Sequence, residues 1–384
     1  MAKKILHNVS VKGQDVRSYT DELRAKYPIV KNTSHEWVLL KHEDVNFAAL
    51  NDESFSNNAS RYLQIPNGLD GEEHTRYRKI IDKYLTRQAL IPYIPVFENI
   101  AKQLVKDLPK GAILDAVNDI GAVFAVRAQS KWLGWPKNLE TTLLAWMKEN
   151  HAATRSGDHA WTSSVAEKFD DIVQTIIQSR RHSANKLNNS SAIDVTAQLC
   201  NEKVDGRLLT ESELVSILRN WTGGDLGSIA LCVGVIIAYI AEHPELIDHI
   251  RKASNNEVED IINEILRIDN PFVSNRRITT CPVKIAGQSI PKGARVKLHW
   301  TSANRDESVF NNNQFDPKKN ADKNLVYGIG KHACPGRLLA SWQLRIALQT
   351  LLANIDNIAL ISEQMPEREV APVGGYHRVP VIFT

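Results

Sequence analysis

Cysteine is scarce in this sequence: four in 384 residues, at Cys200, Cys232, Cys281 and Cys334, with no CxxC pair and no short spacing. That excludes a disulfide framework and a cysteine-rich zinc site. It fits a reducing compartment, so a cytoplasmic protein is expected. Long hydrophobic runs are missing too. The longest uncharged apolar stretch, residues 229–241, is too short for a bilayer core of ~30 Å. The N-terminus, Met-Ala-Lys-Lys-Ile-Leu-His-Asn, has no apolar h-region. A soluble chain with no membrane partner is expected. An excess of one charge is also absent: 47 Lys and Arg face 44 Asp and Glu, a net +3. Nucleic-acid binders are usually far more basic, so none is expected as a partner. No internal repeat and no glycine-rich phosphate loop after a strand is present.

What is there is an ordinary globular composition, 43% apolar and 24% charged, enough for a sizeable core. As a bare prior the length suggests two or three domains. Helical periodicity dominates, broken by turn-rich stretches at 66–71, 185–191 and 311–324. The polar 185–191 stretch reads as a surface connection. Strand signals are few: Val283 to Ile285, then Gly287, then Ile290 and Val296 to Leu298 alternate like a small hairpin system, and 379–383 closes the chain. The fold class expected is mainly α with small β-sheets.

One helix stands out. Thr210 with Glu213 has the form of a capping box, and the pattern runs to His243, where Pro244 ends it. About 33 residues at ~1.5 Å each make a rod of roughly 50 Å that must cross a protein interior. Its middle carries Gly223, Gly224 and Gly227, each costing about 1 kcal/mol relative to Ala. Either tight helix packing or a bulge admitting something small against the backbone accounts for them.

The segment Tyr327-Gly328-Ile329-Gly330-Lys331-His332-Ala333-Cys334-Pro335-Gly336 leads into an apolar helical pattern from Arg337. Cys334 is expected at a helix start with Pro335 as the first helical residue. A thiol there is acidified by the helix dipole, as a nucleophile or a metal ligand would be. The glycines at 328, 330 and 336 leave room for a flat, bulky object. A lone cysteine is most often an inert buried thiol, but this spacing resembles the haem-binding loop of the cytochrome P450 family, Phe-x-x-Gly-x-Arg/His-x-Cys-x-Gly. Tyr327 replaces the usual Phe, while Gly330, His332, Cys334 and Gly336 match. The resemblance spans residues 55–384 and implies one P450 domain over 1–384, a long central helix over the haem, haem b as cofactor and Cys334 as the axial thiolate.

The same resemblance gives roles to residues that alone read as surface groups. Glu264 and Arg267 share a helical face at i, i+3 and look like the family's structural pair. The third member falls on Lys319, which cannot offer a planar fork. His74 and Arg78, at i, i+4, with Arg277 and His332, would hold the haem propionates. In the family the central helix carries Ala/Gly-Gly-x-Asp/Glu-Thr, whose acid and alcohol relay protons during oxygen activation. Here Trp221-Thr222-Gly223-Gly224-Asp225-Leu226-Gly227-Ser228 displaces Asp225 and Ser228 by one position each, though they share a face with one another. Proton delivery is expected through Ser228, Asp225 and ordered water, with Gly224 and Gly227 opening the helix for O2.

That variant, with Asn275-Arg276-Arg277 and Asn324-Leu325-Val326-Tyr327, is similar to the bacterial guaiacol-type aryl-O-demethylases. The implied substrate is a small methoxyphenol whose methyl group is oxidised to a hemiacetal that releases formaldehyde. Tyr62, Leu63, Ile65, Gly223, Val273 and Ser274 are the candidate pocket walls. Electrons would come from a ferredoxin or flavodoxin-type donor with its reductase, steered by Lys331, Arg337, Arg78, Lys79, Lys83 and Arg87. The alternatives are a hydroxylase of terpenoids or fatty acids, a peroxygenase, and a non-enzymatic haem sensor. Residues 224–228 offer neither the arginine of a fatty-acid peroxygenase nor the second axial ligand of a sensor, and Arg219 lies at least a full turn too early.

Overall fold

The computed structural model describes residues 3–4, 15–109, 111–184 and 194–384, and the stretch 185–191 lies outside them. Helices make up most of the structure. Short strands pair into small sheets at its margins. The largest sheet has six strands, ordered Lys3–Lys4, Ile29–Lys31, Trp37–Leu39, Arg295–Leu298, Asn275–Thr279 and Phe55–Ser56. Val296 pairs with Arg277 in this sheet, which places that arginine on a central strand. The hairpin read from the sequence forms from Val283–Ile285 and Gln288–Ile290, turned by Ala286 and Gly287, both at positive φ. The terminal strand is Pro380–Phe383.

The central helix begins as its capping box dictates. The Glu213 N–H donates to Thr210 Oγ1 at 3.3 Å, and the Thr210 N–H donates to Glu213 Oε2 at 2.7 Å. It is not one continuous α-rod. Glu211–Arg219 is α-helical, Asn220–Gly224 winds as a π-turn, and Asp225–Glu242 resumes the α-helix. The Thr222 hydroxyl donates to the Leu218 carbonyl at 2.6 Å and Ser228 Oγ to the Gly224 carbonyl at 2.7 Å. Both side chains thus serve carbonyls next to the disturbed turn. By length and composition Glu211–Glu242 could cross a membrane, but two-thirds of its most apolar window is buried inside the protein. It is a core helix.

Tight packing along this helix occurs further on than the sequence suggested. A methyl group at Gly234 would meet Val117 Cγ2 at 2.4 Å, and one at Gly121 would meet the Ala230 carbonyl at 2.7 Å. Gly224 differs: nothing lies within 4 Å of where its Cβ would be. Gly121 and Gly234 therefore let two helical segments touch, whereas Gly224 borders open space.

Candidate active site

Cys334 is held by its loop. Its N–H donates to the Tyr327 carbonyl at 2.8 Å, and Gly328 and Gly330 turn the chain at φ +67° and +74°. The helix that follows is Arg337–Leu352 with Gly336 as its N-cap, so Pro335 is not its first residue. Nor is the thiol acidified: burial, with the Asp225 carboxylate adding to it, raises it to about 12. Desolvation outweighs the backbone N–H at Gly336. Yet Cys334 is solvent-accessible. Asp225 and Tyr327 show the same pairing of accessible surface with strong desolvation. Such groups line an interior space. A bound metal cation would invert the local balance and hold the sulfur as thiolate.

Cationic groups gather at one edge of this space. The His74 ring lies 4.1 Å from the His332 ring, centroid to centroid. His332 falls to about 4 through burial and the repulsion of His74 and Arg277. Arg277 is buried, donates from Nη1 to its neighbour's carbonyl at 2.9 Å, and drops to about 10 by desolvation. The acid nearest them is Asp70, 3.9 Å from His332 Nε2 and bonded to Ser56 and Asn57. A buried arginine and two histidines sharing one occupied carboxylate suit a dianionic ligand, so these residues fit the propionates of a haem. Arg78 reaches the cysteine loop as well. Its Nη1 donates to the carbonyls of Lys331 (3.0 Å) and Ala333 (2.9 Å), stapling helix Gly71–Asp82 to the cysteine loop.

On the opposite wall, Asp225 is raised to about 7 by burial and accepts from Gln129 Nε2 at 3.2 Å. Gln129 Oε1 is buried without a partner. Asp225 and Ser228 do not bond to each other, since the serine hydroxyl serves Gly224. A methyl group at Gly227 would come within 3.0 Å of His151 Nε2. Sequence reasoning missed Gln129 and His151. A glutamine at an almost fully buried helical position is a detectable oddity, but the helix crossing that brings His151 to Gly227 leaves no trace in local pattern.

The Glu264–Arg267 pair forms a buried fork, with Nε and Nη2 each 2.8 Å from a carboxylate oxygen. Lys319 is exposed and contributes no side chain to it. Asn320 Nδ2 donates to Glu264 Oε1 instead, at 2.7 Å. Among the candidate pocket residues, Ile65 and Val273 are buried, while Tyr62 and Leu63 are 54% and 44% exposed. Gly223 sits in the π-turn and Ser274 is partly buried. Of the basic residues proposed to steer a donor, Lys331 pairs with Asp52 at 2.5 Å and Lys83 with Glu202 at 2.8 Å. Arg337 lies over Tyr327, and Arg87 over Trp342.

Fold and site define a class: helical proteins whose cysteine loop and cluster of histidines and arginine fit a metal-bearing, dianionic cofactor, beside a central helix interrupted by a π-turn. Residues 156–370 match the cytochrome P450 family model. Relatives include cyclomarin C epoxidase CymV of Salinispora arenicola, 25% identical over 97% of this chain and 96% of that protein. Linalool 8-monooxygenase of Pseudomonas putida is 25% identical over 77% and 72%. Among solved structures, a mutant of P450 EryK in complex with erythromycin B has a TM-score of 0.85 at 21% identity, covering 96% of each chain. This chain belongs to the cytochrome P450 family. It is a monooxygenase with haem b as cofactor, drawing on O2, a redox partner and a hydrophobic substrate.

Proposed function

We propose that the enzyme O-demethylates a small methoxyphenol, with residues 1–384 forming one cytoplasmic P450 domain. The observation that carries this reading is the open space at Gly224, in the middle of an otherwise core-packed helix. The missing Cβ leaves the backbone there open to the face of a ring. The balanced reaction takes the aryl methyl ether, O2, two electrons and two protons to the phenol, formaldehyde and water.

In this reading Cys334 would ligate the haem iron, and His74, Arg277 and His332 would hold the propionates. The haem supplies dioxygen activation. Arg78 keeps the cysteine loop in place through two carbonyls. Asp225, poised near 7, can hold or release a proton at its carboxyl oxygen near neutral pH. Gln129 orients it, and Ser228 shares its face. The electron donor is a ferredoxin or flavodoxin-type protein whose acidic surface meets the exposed Lys79, in the last turn of helix Gly71–Asp82, and the exposed Arg87 beyond it.

Spectral titration of the ferric holoenzyme with methoxyphenols, monoterpenes and fatty acids tests the substrate class. The expected result is a low-to-high-spin shift with methoxyphenols and formaldehyde release once surrogate ferredoxin and reductase are added. A shift with monoterpenes or fatty acids alone would overturn it. Asp225→Asn and Ser228→Ala should both raise uncoupled peroxide release, and unchanged coupling in both removes them from proton delivery.

A further inference from the structure

Helix Glu140–Ser156 crosses the central helix with His151 and Arg155 one turn apart on the same face. His151 Nε2 lies where the missing Cβ of Gly227 leaves room, one turn from Gly224 and its open space. Neither ring nitrogen has a hydrogen-bond partner among the described residues. His151 keeps accessible surface while burial lowers its proton affinity, so it borders a desolvated space beside Gly227. Behind it Arg155 Nη1 donates to Glu369 Oε1 at 2.8 Å, and Glu369 is buried. That pair is internally neutral.

We propose that His151 is a specificity-determining residue: its imidazole receives the hydroxyl group of a small, otherwise hydrophobic substrate lying against Gly224 and Gly227. A neutral imidazole presents one donor and one acceptor, matching a hydroxyl on both counts. Arg155, one turn away, is committed to Glu369 and so is not offered to a substrate carboxylate. The inference deepens the demethylase reading by naming the phenol hydroxyl as the recognised group, and it applies equally to another small alcohol.

The test is ferric spin-shift titration of holoenzyme with two matched pairs: 2-methoxyphenol against 1,2-dimethoxybenzene, and a monoterpene alcohol against its methyl ether. Wild type, His151→Phe and His151→Gln are compared, each checked for intact thiolate–haem by its reduced carbon monoxide spectrum. In wild type the hydroxyl compound of the accepted pair binds about tenfold tighter than its capped partner, from one well-placed hydrogen bond. His151→Phe brings that ratio near one, and His151→Gln restores part of it. Discrimination in the terpene pair with silence in the aromatic pair ends the demethylase reading and leaves His151 in its role. An unchanged ratio in His151→Phe, or no shift with either hydroxyl compound, overturns the role. A wild-type ferric spectrum with a nitrogen ligand that His151→Phe abolishes also overturns it, by making His151 a ligand of the iron.

Discussion

Asn320 Nδ2 donates to Glu264 Oε1 at 2.7 Å, closing the buried corner in which Glu264 grips Arg267. The same oxygen accepts from the Asp316 N–H at 3.0 Å, and Arg267 Nη1 reaches the Asn304 carbonyl at 2.7 Å. This knot ties helix Asn255–Ile268 to the chain leading into the cysteine loop. Asn320→Ala leaves the carboxylate short of a donor and should cost about 1–3 kcal/mol. Lys319→Ala, at an exposed neighbour, should stay within about 0.5 kcal/mol. Thermal or urea melts of the two variants distinguish them, and equal effects would return the role to Lys319.

Arg277 is a buried cation whose close acid, Asp70, is already shared. Arg277→Met removes a desolvation cost and one donor to the cofactor. The apoprotein should therefore be as stable as wild type or more so, while haem is lost about tenfold or more faster, as one charge-assisted bond is worth about 1.5–3 kcal/mol. Haem transfer to a scavenger globin and apoprotein melts measure the two arms. Haem retained at the wild-type rate would remove Arg277 from the propionate site.

The glycines of the helical core should respond in opposite ways to alanine. Gly234→Ala drives a methyl group into Val117 and should destabilise by about 1–3 kcal/mol. Gly224→Ala meets nothing within 4 Å and gains up to about 1 kcal/mol of helix propensity. That second methyl group enters the substrate space, so the variant should be stable yet bind its substrate several-fold more weakly. Differential scanning calorimetry with spin-shift titration checks both.

Asp225 binds its proton more tightly folded than unfolded, at about 7 against an ordinary value near 3.9. Its contribution to stability is full below about pH 4 and falls as pH rises to about 7. The loss is on the order of 2–4 kcal/mol. Asp225→Asn cannot titrate, so the difference in stability between it and wild type should grow in the mutant's favour across that window. A difference independent of pH would place the carboxyl in a wetter setting.

Features built from contiguous residues were legible in the sequence. The cysteine loop, the capping box at Thr210 and Glu213, and the Glu264–Arg267 pair depend on spacing along one turn or one loop, and spacing is what a sequence displays. The boundary after Gly336 was harder, because Pro335 has the look of a first helical residue while the Cys334 N–H is already taken by Tyr327. The exchange of Asn320 for Lys319 is a shift of one residue, decided by which side chain the turn after Asp316 points inward. His151 and Gln129 reach the site only because separate helices cross the kinked helix, so their neighbours are set by packing rather than by pattern. The helix dipole suggested an acidic thiol at Cys334, and burial overrode it.

The central claim is that the Cys334 thiolate would ligate the iron of a bound haem. Purified protein supplied with haem, reduced and exposed to carbon monoxide, should show the far red-shifted Soret band of a thiolate–iron centre. Cys334→Ala should lose that band. A wild-type Soret band at the position of a histidine-ligated haem, or one that Cys334→Ala leaves in place, would contradict the assignment.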